Sequence, residues 1–194
     1  MSFDNRLWKL DLENLWWNEN RLNILNSLIK LAEKEKFKAH LTGDKGVGKS
    51  TIIEVLKNKI KDVSTYSVVH HIKSVINPDS SYLIIDEVQI LTPEERLEII
   101  QNHSKVLMVS VVDLSYDGYD YVYKIEALKL EEVASYISKY SDKFDETAFK
   151  EIYLASRGRC RLINLLCKAC LKESENIDKN LVEQIAKRKY KLRY

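Results

Sequence analysis

The sequence predicts an α/β protein, a parallel sheet flanked by helices, followed by a small C-terminal helical lid. Three observations carry this expectation. Short apolar runs alternate with amphipathic stretches up to about residue 128, the pattern of strands joined by crossover helices. A glycine-rich turn, "GDKGVGKS", joins an apolar run to an amphipathic one. From Leu130 onward successive helical segments follow with no strand between them. The expected division is therefore an α/β core over 1–128 and a helical lid with a basic tail over 129–194.

Each element follows from its residues. In "NRLNILNSLIKLAEK" (20–34), Leu22, Leu25, Leu28, Ile29 and Ala32 recur at helical spacing. "FKAHLTG" reads as a short strand entering the glycine-rich turn, and "KSTIIEVLKNKIKD" as the helix leaving it. "TYSVVHHI" is the expected second strand and "SYLIIDE" a buried third. "TPEERLEII" opens a helix, with Thr92 as N-cap, Pro93 at the first helical position and Glu95 closing a capping box. "KVLMVSVV" and "YVYKIEAL" supply a fourth and a fifth strand. The lid consists of "LEEVASYISKYS", "DETAFKEIYLAS", "RLINLLCKACLKES" and "DKNLVEQIAKRK". A sheet of this kind places ligands outside the carboxyl ends of its strands.

Composition narrows the class. The chain has 194 residues, 45% of them hydrophobic, enough to bury a sizeable core. Apolar runs such as "VLMVSVV" fall far short of the roughly 20 residues of a membrane span. The N-terminus carries early acids and no apolar signal region, so a cytoplasmic location without membrane insertion is expected. A net charge of +2 does not by itself announce a nucleic-acid binder. The final "AKRKYKLRY" does concentrate Lys187, Arg188, Lys189, Lys191 and Arg193 around Tyr190 and Tyr194. It reads either as a surface for duplex DNA or as a solvated basic helix end. Cys160, Cys167 and Cys170 are too few for a zinc site, and the last two share the apolar stripe of a helix, where they are expected in the core. The adjacent Trp16 and Trp17 read as core anchors or as an adenine contact.

The glycine-rich turn carries the chemistry. "GDKGVGKS" matches G-x-x-x-x-G-K-S/T from Gly43 to Ser50, between a strand and a helix. Gly43, Gly46 and Gly48 let successive N–H groups point inward as an anion nest at a helix N-terminus. The cradle for ATP is thus expected from Gly43, Asp44, Lys45, Gly46, Val47, Gly48, Lys49, Ser50 and Thr51. Lys49 would meet the terminal phosphates and Ser50 would ligate Mg²⁺. The run "YLIIDE" delivers Asp86 and Glu87 to the end of a buried strand. Asp86 would hold the Mg²⁺ shell, and Glu87 would activate the attacking water.

"GDKGVGKST", "LIIDEVQILTPEERLEII", "KVLMVSVVDL" and "SRGRCRLINLLCKACL" resemble the P-loop, acidic strand, sensor strand and lid of the AAA+ ATPases. The branch they resemble holds general-secretion-pathway ATPase A and the transposition ATPases of phage Mu B type, over about Leu22 to Ala186. The resemblance implies that Arg161, in "GRCR", takes the sensor-2 place at the γ-phosphate, with Cys160 standing where the family has proline. It implies that Ser110 takes the sensor-1 place. From Leu97 through Ser156 there is no arginine, which removes the usual position of an arginine finger acting in trans; Arg96, Arg157, Arg159 or a partner would have to substitute. The segment between Asp62 and Tyr82 is too short for an inserted DNA-gripping hairpin.

The implied function is that of an ATP-hydrolysing switch, slow without assembly or a partner. It would form homo-oligomers on duplex DNA and recruit or regulate a protein such as a transposase or a replication factor. The alternative is an ATP-dependent adaptor acting on protein partners alone, in secretion or stress. A small-molecule P-loop kinase is disfavoured by "DEVQ" after an apolar strand and by the purely helical C-terminus, which leave no acceptor pocket.

Overall fold

A computed structural model describes residues 14–68 and 82–190, the side chains of Lys189 and Tyr190 excepted. The elements are α1 (Glu19–Ala32), β1 (Phe37–Thr42), α2 (Lys49–Lys59), β2 (Val63–Ser67), β3 (Tyr82–Asp86), α3 (Pro93–Asn102), β4 (Lys105–Val109) and β5 (Tyr121–Lys124), then α4 (Leu130–Tyr140), α5 (Glu146–Ser156), α6 (Cys160–Leu171) and α7 (Lys179–Tyr190). Short 3-10 turns cover Val88–Ile90 and Ser115–Asp117. The expected second strand forms from Val63 to Ser67; its continuation beyond Val68 lies outside the described residues.

One compact unit comprises Glu19–Lys45 and Lys49–Glu126. Its five strands are all parallel, in the order β2-β3-β4-β1-β5. Strand β1 is therefore internal, pairing His40 with Met108 of β4 on one side and with Val122 of β5 on the other. Because every strand runs the same way, the ends of β1, β3 and β4 lie at one edge of the sheet. Tyr82, Leu83, Ile84 and Ile85 of β3 are all buried, the continuous apolar run of a strand covered on both faces. Leu83, Ile84 and Ile85 each contribute roughly 1.5–3 kcal/mol on burial. Helix α3 starts where its chemistry requires: the Thr92 side chain accepts from Glu95 N–H, and the Glu95 carboxylate accepts from Thr92 N–H.

The other unit joins, of the described residues, 127–190 with Gly46–Gly48 and 14–18. Helices α4 to α7 enclose a core of Val133, Ile137, Ile152, Ile163, Leu166, Val182 and Ile185, in which Cys167 and Cys170 are buried. Trp16 belongs to this core. Its ring meets Tyr136 edge-on at 5.5 Å, its Nε1 donates to Ser135 Oγ at 3.3 Å and its backbone N–H donates to Tyr140 Oη at 3.0 Å. Between α5 and α6, Arg157 and Gly158 have φ of 51° and 69°. A Cβ on Gly158 would lie 2.0 Å from the Leu128 carbonyl oxygen, so the turn into α6 admits only glycine there.

Candidate functional site

Gly43, Gly46 and Gly48 all have positive φ, at 148°, 88° and 113°. These values are open to glycine and rarely to other residues. The loop passes directly into α2, whose first residue is Lys49. Lys49 is 8% exposed and folds back on its own loop, donating from Nζ to Gly43 O at 2.5 Å and Asp44 O at 3.0 Å. An ammonium has three N–H donors, so one is left for an anion. Burial lowers the Lys49 pKa from the ordinary lysine value, against the pull of Asp86, Asp44 and Glu87. Asp44, Lys45 and Ser50 are exposed, Val47 is buried, and Gly48 and Thr51 are half-buried.

At the end of β3, Asp86 is half-buried, and its Oδ1 accepts from Glu87 N–H at 2.9 Å. Burial raises its pKa above the ordinary carboxylate value; the neighbouring Glu87 carboxylate adds to the rise, while the Glu87 N–H and Lys49 oppose it. Glu87 itself sits in the left-handed region at φ 63°, ψ 32°, a conformation that costs a non-glycine residue of order 1 kcal/mol or more and recurs at functional sites. Its Oε2 accepts from Ser67 Oγ at 3.2 Å. Within the sheet unit, a buried ammonium thus lies in the field of two carboxylates, groups of the kinds that meet a phosphate and a hard cation.

Ser110 follows β4 and is 1% exposed. Its hydroxyl donates to Val112 O and contacts His40 Nε2 at 2.8 Å. Its proton is therefore directed at a backbone carbonyl rather than outward. Arg161 lies in the first turn of α6, exposed; within the unit it shares with Gly46, its backbone N–H donates to Gly46 O at 3.0 Å. A Cβ on Gly46 would come within 3.0 Å of Arg161 Cβ. In the same unit Cys160, at the position of the family's proline, directs its Sγ toward Val47 O at 3.8 Å.

Among the arginines weighed as fingers, Arg96 is engaged at home. It is 3% exposed and donates to Asp117 Oδ2 from Nε at 2.6 Å, to Asp117 Oδ1 from Nη2 at 3.4 Å and to Leu91 O from Nη1 at 2.6 Å. Arg159 donates from Nε to Ser156 O at 3.2 Å. Of the basic tail, Lys187 pairs with Glu183 and Arg188 with Glu173, the latter at 2.8 Å. The side chains of Lys189 and Tyr190, together with Lys191, Arg193 and Tyr194, lie outside the described residues.

Sequence reasoning missed Ser67, Thr42 and His40. The signal for His40 was present, an imidazole inside an otherwise apolar strand run. Ser67 had none, since its approach to Glu87 depends on the pairing of β2 with β3, in which Ser67 faces Asp86.

No protein-family model and no curated protein matches this sequence. Solved structures do. The chain is similar to a RuvB variant of Thermotoga maritima, with a TM-score of 0.65 and 16% identity over 89% of this chain and 70% of that one. It is similar to NtrX of Brucella abortus in complex with ATP, with a TM-score of 0.63 and 12% identity over 87% of this chain and 56% of that one. It is also similar to NtrX in complex with ADP, with a TM-score of 0.63 and 11% identity over 84% and 54%. What these likenesses show is the fold, a parallel α/β sheet flanked by helices. Among the described residues, no helix is long and apolar enough to cross a membrane, and no cluster of His, Cys, Asp or Glu forms a ready-made metal cage.

Proposed function

We propose that the chain binds Mg²⁺·ATP at the Gly43–Thr51 loop and hydrolyses it slowly, as a nucleotide-dependent switch. The observation that carries this reading is the buried Lys49 ammonium, held on its own loop and in the field of Asp86 and Glu87. A cation so placed gains most from an anionic ligand. Lys49 would bind the terminal phosphates, Ser50 and Asp86 would hold the metal shell, and Glu87 would take a proton from the attacking water. When bound, Mg²⁺ would neutralise charge on the phosphate oxygens. Ser110 anchors the loop after β4 in the sensor-1 place, and Arg161 takes the sensor-2 place at the lid.

With Arg96 tied to Asp117 and Leu91, transition-state charge would be completed by another subunit or a partner. The finer reading is a cytoplasmic homo-oligomer on duplex DNA that recruits or regulates a transposase or a replication factor. The pairing of Lys187 and Arg188 with Glu183 and Glu173 favours the second reading, an adaptor working on protein partners alone.

The test measures Mg²⁺·ATP binding and phosphate release per subunit over a dilution series, with and without duplex DNA at several salt concentrations. Binding is expected, and it should weaken about tenfold or more in Lys49→Ala, which loses a charge-assisted contact. Release per subunit should fall on dilution. A flat, fast rate would sink assembly, and absence of duplex binding at low salt would leave the protein-only adaptor.

A further inference from the structure

We infer that His40, in the middle of β1, is a positioning residue for ATP turnover: as a neutral imidazole protonated on Nε2, it latches the loop leaving β4 to the strand that opens the phosphate cradle. The inference rests on the ATPase reading above. Its geometry lies wholly within the sheet unit. His40 Nε2 is 2.8 Å from Ser110 Oγ, Ser110 Oγ contacts Val112 O, and Thr42 Oγ1 donates to the same Val112 O at 2.9 Å.

The proton direction follows from chemistry. Val112 O only accepts, so the one Ser110 proton lies between those two oxygens. The proton between Ser110 and His40 must then come from Nε2. His40 Nδ1 is left as a bare lone pair, and it has no hydrogen-bond partner. Burial favours the uncharged ring, which is fully buried and stacked on Tyr119 at 5.0 Å.

An unpaired buried acceptor is unfavourable, and the neighbours of His40 across the ladder are Met108 and Val122. An aliphatic side chain would suit that environment for packing alone, so the imidazole points to the latch. Position supplies the link to turnover. Thr42 immediately precedes Gly43, and β4 lies between β1, which leads to Lys49, and β3, which ends in Asp86. The chain His40–Ser110–Val112–Thr42 thus holds the Ser110–Asp113 loop at the edge where the phosphates and carboxylates would meet.

The test compares the full chain with His40→Leu, which keeps bulk and removes the donor, and His40→Gln, which returns an N–H near the Nε2 position. Three readouts are taken: kcat and Kd for Mg²⁺·ATP, amide exchange over Ser110–Asp113, and the imidazole ¹⁵N shifts of His40. His40→Leu should lower kcat about tenfold with Kd changed less than threefold, and should speed exchange in that loop. His40→Gln should recover most of both, and the wild-type shifts should report protonated Nε2 and bare Nδ1. A folded His40→Leu with wild-type kcat and wild-type loop exchange overturns the inference, as does a protonated Nδ1. If the wild-type protein releases no phosphate, the ATPase reading fails, and with it the effect on turnover, while loop exchange and tautomer still decide whether the latch exists.

Discussion

The ends of β3 and β4 lie at the same edge of one sheet, yet their polar groups are arranged in opposite ways. At β3, Asp86 and Glu87 are half-buried, with Glu87 held in left-handed backbone and accepting from the Ser67 hydroxyl. At β4, the Ser110 hydroxyl and that of Thr42, the last residue of neighbouring β1, both donate to Val112 O, and His40 Nε2 meets Ser110 Oγ. A carboxylate can take a metal or a water proton, whereas a hydroxyl whose proton is already placed has none to offer a phosphate. On the proposed reading, the β3 end would react and the β4 end would keep it in register.

The sharpest way to break this comparison is Glu87→Gln, which preserves size and removes the base. Turnover should fall about a hundredfold or more while ATP binding persists, measured by phosphate release beside equilibrium binding. Unchanged release would move the chemistry away from β3.

At β4 the corresponding experiment is acid titration. Burial lowers the His40 pKa to about 4; Asp113 and Asp117 oppose that shift, and Arg96 adds to it. An unfolded histidine takes its proton near 6.5, so the unfolded chain binds more protons between those values. The contribution of His40 to stability is therefore fully present above pH 6.5 and is lost as pH falls toward 4, by about 3 kcal/mol. Denaturant unfolding from pH 7 to pH 4 should show the loss, and His40→Leu should be less acid-sensitive by that amount. Equal acid sensitivity in both proteins would mean that the ring is not buried neutral.

The smallest effect is expected from Ser67→Ala. It removes one hydrogen bond to Glu87, and turnover should drop about threefold with unchanged binding, in keeping with about 0.5–1.5 kcal/mol for such a bond. No change would show that the backbone alone orients Glu87.

Short-range chemistry is what the residue order encodes directly. Alternating apolar runs and amphipathic stretches specify strands and helices, Thr92 and Glu95 cap α3, and Cys167 and Cys170 lie on the buried stripe of α6. The loop glycines and Lys49 are legible because a tight anion nest demands those residues at that spacing. Strand order was not legible, since parallel neighbours are joined through distant crossovers and leave no local mark. Only the tertiary structure set β1 between β4 and β5. His40 thereby meets Ser110 across 70 residues, while β2 beside β3 brings Ser67 to Glu87 across 20, and the turn after β4 brings Asp117 to Arg96 of α3 across 21. Each pairing depends on which strand or turn lies beside which, because a hydrogen bond needs its partner within about 3 Å, and sequence spacing carries no such distance.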